Sequence, residues 1–299
     1  MSAARAWDPL GHMLTMEIAS GELTPATRDA VDKAIARFSV NEKPDAPYDL
    51  VTAACWMDDA RARTKEFNEW HYVNLPFVRD GLPIPEGSRA APNVIWGIEQ
   101  CVAILEGKAE EPGIDRDMAL MILLHLAGDI QQPLHATNRD DMGGNKVVVG
   151  NLKDEQSDLI FSRGGNLHFF WDSAYRRVFR DGDASVEFAA PLYPRQTPVT
   201  GHHAARDLVT SAAEKIRADF PAASLAGASG GDARAWAVES HVLGYDFAYA
   251  KLPDTEVGSP VALTREYVEG ARGIAGRQIA LGGYRIANLL NRLFDPSRK

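Results

Sequence analysis

Two histidine–aspartate pairs stand at helical spacing in the middle of this 299-residue chain. His125 and Asp129 are four residues apart in an apolar run, and His168 and Asp172 repeat the spacing. Side chains four residues apart lie on one face of a helix. Burying an imidazole and a carboxylate there costs several kcal/mol unless a partner satisfies both. A cation does so at once, so the spacing indicates metal binding, with a hydrogen-bonded core pair as the alternative.

A further candidate ligand follows the first pair. Pro133 ends the helix because it has no N–H to donate and clashes with the preceding turn. His135 lies just beyond this break, where the chain can fold back towards the same point. Imidazole nitrogen and carboxylate oxygen are ligands that zinc takes in catalytic sites. Residues 123–145 therefore predict a metal site built around one buried helix.

Six motifs resemble, in the same order, those of the S1/P1 nuclease family and, more distantly, the zinc-dependent bacterial phospholipases C. They are WDPLGH (7–12), CWMDDAR (55–61), WHYVN (70–74), HLAGDIQQPLH (125–135), GGN (143–145) and NLHFFWD (166–172). The run GGYRIANLLN (282–291) is similar to the closing helix of the family. Together these motifs are far more specific than any one of them.

The resemblance implies a trinuclear zinc site with nine ligand positions. One zinc would be held by Asp58, His71, His125 and Asp129, the second by His135, His168 and Asp172, and the third by the Trp7 main chain, His12 and Asp129. Alone, Asp58 fits a solvated helix charge and His71 a packed core residue. Three zinc ions and three carboxylates leave about +3 on such a cluster, which suits a phosphodiester anion.

The activity implied by the resemblance is zinc-dependent hydrolysis of single-stranded DNA and RNA to 5′-phosphonucleotides, with 3′-nucleotidase activity. A metal-activated water is the nucleophile, and Asp58 orients it. Arg61, one turn after Asp58, would contact the phosphate, although a surface arginine is the equal alternative. Tyr72 would stack on a base, and Asn74 and Asn145 would bond to its edge.

Two positions depart from the family, and two other functions remain open. Asn74 stands where the fungal nucleases have Asp, which affects base preference, and Gln131 stands where many members have a non-ligating His. One alternative is a phospholipase C that acts on phospholipid head groups. The other is a non-catalytic, metal-binding helical protein, although structural zinc sites usually prefer cysteine ligands.

Composition limits the partners. The net charge is -9 and the pI is about 5.4, which argues against a basic groove that grips many phosphates. A phosphate site must therefore gain positive charge from metal. No run of eighteen apolar residues exists, so we expect no stable membrane association, and we expect a monomer. Cys55 and Cys101 are either two buried small side chains or one disulfide.

The first residues indicate processing, with a chance occurrence of the Ala-Arg-Ala pattern as the alternative. Residues 1–6 end in Ala4-Arg5-Ala6, a small-residue pattern like a signal-peptidase site, without the usual apolar segment before it. In the family the mature chain begins at the tryptophan that corresponds to Trp7, whose free amine and carbonyl bind zinc. We therefore expect residues 1–6 to be a remnant of a signal or processing segment, residues 7–299 to form one catalytic domain, and the protein to be secreted or periplasmic.

The pattern of apolar and turn residues predicts a mainly helical domain, of the phospholipase C/P1 nuclease type by resemblance, with at most a short β-hairpin. That hairpin is expected to join residues 146–149 and 158–161. Loops are expected at residues 79–92 and 182–198. Helices are expected before Gly21, at residues 25–37, from 48, at 93–106 and before Pro133. Further helices are expected from Gly164-Gly165 to Phe179, and at residues 202–219, 232–250 and 264–293. His202 and His203 are expected to be solvated and His241 to be a core residue.

Overall fold

A computed structural model describes residues 7–61, 63–78, 92–153, 165–189, 198–254 and 259–298. Within them the chain is mainly helical, as predicted, with one two-stranded antiparallel sheet. The α-helices in these ranges are α1 (Pro9–Ser20), α2 (Pro25–Glu42), α3 (Trp56–Ala60), α4 (Val94–Leu105), α5 (Arg116–Asp129), α6 (Leu167–Asp172), α7 (Pro198–Ala204), α8 (Arg206–Asp219), α9 (Ala233–Leu243) and α10 (Arg265–Phe294). No helix in these ranges is both long and apolar enough to cross a bilayer.

Helix α5 lies at the centre of the core. Every residue from Ala119 to Asp129 is buried, and α1, α2, α4 and α10 pack around the helix. A helix covered on all sides is apolar around its whole circumference rather than on one stripe. His125 and Asp129 are therefore carried into the dry interior, where polar side chains need partners.

The three helices that carry most candidate ligands begin at polar N-cap residues. Asp8 accepts a hydrogen bond from the Gly11 N–H at the start of α1, and Asp115 accepts one from the Met118 N–H at the start of α5. Asn166 does the same for Phe169 in α6. Such caps satisfy N–H groups that lack partners within the helix. They also fix where each helix begins, and so where its histidine points.

The region after α6 differs from the prediction. The helix predicted to reach Phe179 ends at Asp172, because the Ser173 hydroxyl donates to the Phe169 carbonyl and the chain leaves the helical conformation. Strands β1 (Arg177–Arg180) and β2 (Ser185–Phe188) then form the sheet. The hairpin therefore lies about thirty residues later than expected. Of the predicted hairpin, Val148 and Val149 instead bridge to Asn166 and Val261, and residues 158–161 lie outside the described part.

Other boundaries also shifted. The predicted helix at residues 202–219 is divided into α7 and α8 at Ala205, and the helix expected from residue 48 is a 3-10 turn, Thr52–Cys55, followed by the short α3. The predicted loop 79–92 lies outside the described residues except for Pro92, and 182–198 contains β2. Cys55 and Cys101 are both buried free thiols.

The three histidines left out of the predicted site lie elsewhere in the fold. His202 is buried against the Asp59 carboxylate at 3.1 Å, so its predicted solvation was wrong. His203 is partly exposed and lies 2.8 Å from the Pro47 carbonyl. His241 is a buried, hydrogen-bonded core residue, as predicted.

Glycines in α10 allow α1 to approach closely, and one pair of substitutions tests this contact. A Cβ at Gly283 would lie 2.6 Å from Ile18 Cγ2 and 2.9 Å from the Thr15 carbonyl, whereas a Cβ at Gly273 meets nothing within 4 Å. Gly283→Ala should lower the free energy of unfolding by about 1–3 kcal/mol through overpacking. Gly273→Ala should raise it by about 0.5–1 kcal/mol, since alanine favours helix. Thermal unfolding that moves in the same direction for both variants would contradict this packing.

Candidate metal centre

In the first ligand cluster, three histidines surround the carboxylate of Asp129. Its Oδ2 lies 2.9 Å from His71 Nδ1 and 3.1 Å from His125 Nε2, and its Oδ1 lies 3.4 Å from His12 Nε2. All four side chains are fully buried. The rings of His12 and His125 stack with centroids 3.9 Å apart. Residues from α1, α5 and the segment before α4 thus meet at one carboxylate.

Asp58 completes this cluster at its outer edge. Ligand atoms of Asp58, His71 and His125 lie within 4.8 Å of one another, as do those of His12, His125 and Asp129. His125 therefore belongs to both groups. The Asp58 side chain is 19% exposed and pairs with Arg61 at 3.0 Å, whose side chain is 15% exposed. This pair is the part of the cluster that solvent can reach.

The second cluster joins His135, His168 and Asp172, the group that the resemblance implies. Asp172 Oδ1 lies 3.6 Å from Nε2 of both histidines, and the two rings stack with centroids 5.1 Å apart. His135 Nδ1 also lies 3.8 Å from Asp129 Oδ1. The two clusters are therefore adjacent, with the end of α5 between them.

Three histidines are oriented by main-chain carbonyls. Nδ1 lies 2.6 Å from the Ala54 carbonyl oxygen in His125, 2.7 Å from that of His71 in His135, and 2.7 Å from that of Gly143 in His168. A carbonyl oxygen only accepts hydrogen bonds, so Nδ1 must carry the proton. Nε2 of each ring then faces a carboxylate of the clusters, Asp129 for His125 and Asp172 for the other two. Metal-binding histidines are commonly oriented in this way, with the other ring nitrogen donating to a carbonyl.

A cation fits the donor atoms that the protein leaves unsatisfied. In the described part of the chain, both nitrogens of His12, Nε2 of His71 and Oδ1 of Asp129 are buried without a hydrogen-bond partner. Such atoms cost about 1–3 kcal/mol each when nothing compensates them. Their nitrogen and carboxylate chemistry is that of zinc ligands, so the residues present fit zinc.

Burial and neighbouring charges shift the pKa values of several residues in the two clusters. Burial, together with the neighbouring His125, lowers the pKa of His12, and burial lowers the pKa of His71 to about 4. Burial alone would raise the pKa of Asp129, but the surrounding histidines lower it well below its ordinary value. Burial raises the pKa of Asp172 well above its ordinary value, so its charged form needs a nearby positive charge.

The N-terminal part of the described chain is fixed between the two clusters. The Trp7 indole N–H donates to the Gly128 carbonyl at 2.9 Å, and the Asp8 main-chain N–H donates to the Asp172 carbonyl at 2.8 Å. The Asp8 side chain also pairs with Arg176. Trp7 is therefore held between Gly128, the neighbour of Asp129, and the segment that bonds to Asp172.

The expected substrate-binding residues lie on the extended segment after His71 and on a nearby turn. Val73 and Leu75 point inwards, whereas Tyr72 is half-buried and Asn74 is exposed. Tyr72 and Asn74 therefore share the outward face, since side chains alternate along an extended chain. Asn145 is partly buried and donates from Nδ2 to the Met142 carbonyl. One of the two side-chain amide protons of Asn145 is therefore already bonded within the turn.

Two residues near the clusters were missed by the sequence analysis. Gln132 is fully buried and donates from Nε2 to Asp172 Oδ1 at 2.7 Å, so it links the end of α5 to the second cluster. A Cβ at Gly128 would lie 2.9 Å from His12 Nδ1. The available signals were a glycine inside an apolar helix and a polar residue before Pro133.

Comparison with known proteins extends over nearly the whole chain. A family profile described as S1/P1 Nuclease matches residues 7–295. Endonuclease 2 of Arabidopsis thaliana is 23% identical over 296 residues, which cover 96% of this chain and 90% of that protein. Endonuclease 4 of the same plant is 25% identical over 315 residues, which cover 100% and 93%. The matched regions contain every residue of both clusters.

Proposed function

We propose, from the premise that the chain belongs to the S1/P1 nuclease family, that this hydrolase is a zinc-dependent nuclease with a trinuclear site. Its substrates are single-stranded DNA and RNA, cleaved to 5′-phosphonucleotides, and 3′-nucleotides, from which it removes phosphate. We assign catalysis to one domain, residues 7–299, and expect a secreted or periplasmic monomer by analogy with the family. The observation that carries the proposal is the convergence of histidine and aspartate side chains from α1, α3, α5, α6 and the segments around His71 and His135. Among them, buried atoms of His12, His71 and Asp129 lack a hydrogen-bond partner.

The proposed zinc ligands are the nine positions named from the sequence. They are Trp7, His12, Asp58, His71, His125, Asp129, His135, His168 and Asp172. Zinc held there would supply the positive charge that the acidic chain lacks and would make water a usable nucleophile near neutral pH. Because Asp58 and Arg61 are the solvent-accessible edge of the first cluster, we assign entry of the phosphodiester to this edge.

The other proposed site residues, Arg61, Tyr72, Asn74 and Asn145, bind the substrate. The Arg61 guanidinium, held by Asp58, bonds to the phosphate oxygens. The partly exposed Asp58 carboxylate is also placed to orient the attacking water. Tyr72 stacks on a base, and Asn74 and Asn145 bond to base edges. Since stacking accepts any base, sequence-tolerant cleavage of single strands follows.

Substitution of Tyr72 tests the stacking role. Tyr72→Ala should raise KM for single strands by roughly tenfold or more, because about 1–3 kcal/mol of stacking is lost. Zinc content should not change, since the side chain is not a proposed ligand. Tyr72→Phe keeps the ring and serves as the control, with a KM near that of the wild type. An unchanged KM in Tyr72→Ala would exclude the stacking role.

A substrate panel tests the proposed activity against its main alternative. The zinc-loaded protein is assayed on single-stranded DNA, RNA, a 3′-nucleotide and phosphatidylcholine vesicles, with bound metal measured in the same samples. We expect hydrolysis of the first three and 5′-phosphate ends on the polynucleotide products. Hydrolysis of phosphatidylcholine alone would assign the protein to the phospholipase C function, and bound zinc without any turnover would indicate a non-catalytic metal protein.

A further inference from the structure

The turn after the first histidine motif has an unusual backbone. Asp140, Met142, Gly143 and Gly144 all have φ between 58° and 84°, in the left-handed region. Two of the four are not glycine. A non-glycine residue in that region is strained and persists only where the surrounding structure fixes it. We refer to residues 140–145 as the strained turn.

One carbonyl of the strained turn contacts a proposed metal ligand. The Gly143 carbonyl oxygen lies 2.7 Å from His168 Nδ1. A Cβ at Gly143 would lie 2.7 Å from the Leu134 carbonyl oxygen, so the turn approaches the His135 segment as closely as a glycine allows. The conformation of this turn therefore decides which nitrogen of His168 carries the proton and how the ring is oriented.

The carboxylate of Asp141 stabilises the strained turn through hydrogen bonds. Asp141 is buried, and its Oδ1 accepts hydrogen bonds from the Gly144 N–H at 2.9 Å and from the Tyr249 hydroxyl at 2.8 Å. Its carbonyl accepts from the Lys146 N–H at 3.0 Å. The Asp141 side chain is not itself a member of either ligand cluster. Its contacts fix Gly144, which directly follows Gly143, and Lys146.

The second partner comes from a distant and irregular element. Tyr249 ends a π-helical segment, Gly244–Tyr249, that follows α9, and such segments are frequent at functional sites. Gly244 abuts the His135 segment, since a Cβ there would lie 2.3 Å from Thr137 Oγ1. Arg139 stacks over the Tyr249 ring at 4.4 Å and lies 3.7 Å from Asp141 Oδ2, which balances the buried charge.

We propose that Asp141 and Tyr249 are positioning residues for the second cluster: by holding the strained turn, they keep the Gly143 carbonyl on His168 Nδ1 and so direct Nε2 towards Asp172 and the proposed ion. Neither residue is a proposed ligand or substrate contact. This inference rests on the proposed function for the identity of the ion, but the hydrogen bond on which it depends exists in the protein without metal.

The test compares two tyrosines of the same π-helical segment. Tyr249→Phe removes the hydroxyl that bonds to Asp141, whereas Tyr245→Phe removes a hydroxyl from the segment without touching that carboxylate. Zinc-loaded proteins are dialysed against a chelator at graded concentrations and their zinc is counted. We expect Tyr249→Phe to lose one ion per chain at a chelator concentration about 10–100-fold lower than the control, as is typical when a group that orients a metal-binding histidine is lost.

An NMR measurement separates positioning from a merely structural role. The imidazole N–H signals are recorded in ¹⁵N-labelled protein, and the signal of His168 is assigned by its absence in His168→Ala. In Tyr249→Phe, exchange of the His168 Nδ1 proton with water should be about tenfold faster or more, since its acceptor is no longer fixed. The Nδ1 protons of His125 and His135, bonded to other carbonyls, should be unchanged and serve as internal controls.

Two substitutions of Asp141 give a second test, which does not depend on whether Tyr249→Phe folds. Asp141→Asn keeps an acceptor oxygen and should retain the ion and the slow exchange, whereas Asp141→Ala should lose both. Zinc retention and His168 exchange in Tyr249→Phe equal to those in Tyr245→Phe would overturn the proposal. If even the wild type holds no zinc, the proposed function fails, and exchange in the metal-free proteins still decides whether Asp141 and Tyr249 position His168.

Discussion

Asp129→Asn is expected to lose more than one zinc per chain and to abolish hydrolysis of single-stranded DNA. Asp129 lies within 3.4 Å of ring nitrogens of His12, His71 and His125, and it is fully buried. The neutral amide keeps the shape of the side chain but removes the charge that is shared by two proposed ions. One substitution therefore weakens two sites, and metal affinity and activity fall together.

The matched control lies at the other end of the same helix. Asp115 caps α5 through the Met118 N–H, and asparagine is an equally good N-cap. Asp115→Asn should therefore retain zinc and activity. Zinc by elemental analysis, circular dichroism and turnover are compared in both variants. An Asp129→Asn protein that holds three zinc ions and turns over normally would show that Asp129 does not bridge two metals.

A chain that begins at Trp7 is expected to bind three zinc ions, whereas the 299-residue form binds fewer and turns over more slowly. A free α-amine has a pKa of about 7.7–8.0 and yields its proton to zinc near neutrality. An amide nitrogen has no available lone pair. The Trp7 indole and the Asp8 N–H are already fixed by Gly128 and Asp172, so the amine is the one group at this position that differs between the two forms.

The most closely matched control has one additional residue before Trp7. A chain that begins at Ala6 has the same fold determinants as one that begins at Trp7, but its amine is displaced by one residue. All three forms are cut from a fusion partner that leaves no residue behind, and their zinc content and rates on single-stranded DNA are measured. Equal zinc and equal rates would mean that the amine is not a ligand and that Ala4-Arg5-Ala6 does not mark a processing site.

The sequence predicted best those elements that local signals define. The start of α2 at Pro25 after Thr24, the start of α4 after Asn93 and the start of α10 after Thr264 all follow capping residues visible in the sequence. The end of α6 was missed because apolar and aromatic residues continue past Asp172, and the choice between helix and strand there is made by Ser173 and by pairing with β2. Such pairing depends on partners that no local window contains.

At the site, the four-residue spacing predicted that His125 and Asp129 share one helix and that His168 and Asp172 share another. Their assembly with His12, Asp58 and His71 came from the resemblance, because contacts across 50 to 120 residues of sequence leave no periodic signal. The supporting contacts were not predictable from either source. Gln132 on Asp172 and the Gly143 carbonyl on His168 depend on how turns fold back onto helices.

Zinc titration of the metal-free wild-type chain, beginning at Trp7, tests most directly whether this nuclease acts through zinc. Each sample is assayed for hydrolysis of single-stranded DNA, and the bound metal is counted after removal of excess. We expect no turnover without zinc and activity that rises to a plateau at about three ions per chain, with 5′-phosphate ends on the products. Full activity in the metal-free chain, or three bound zinc ions without cleavage of DNA or RNA, would contradict a zinc-dependent nuclease.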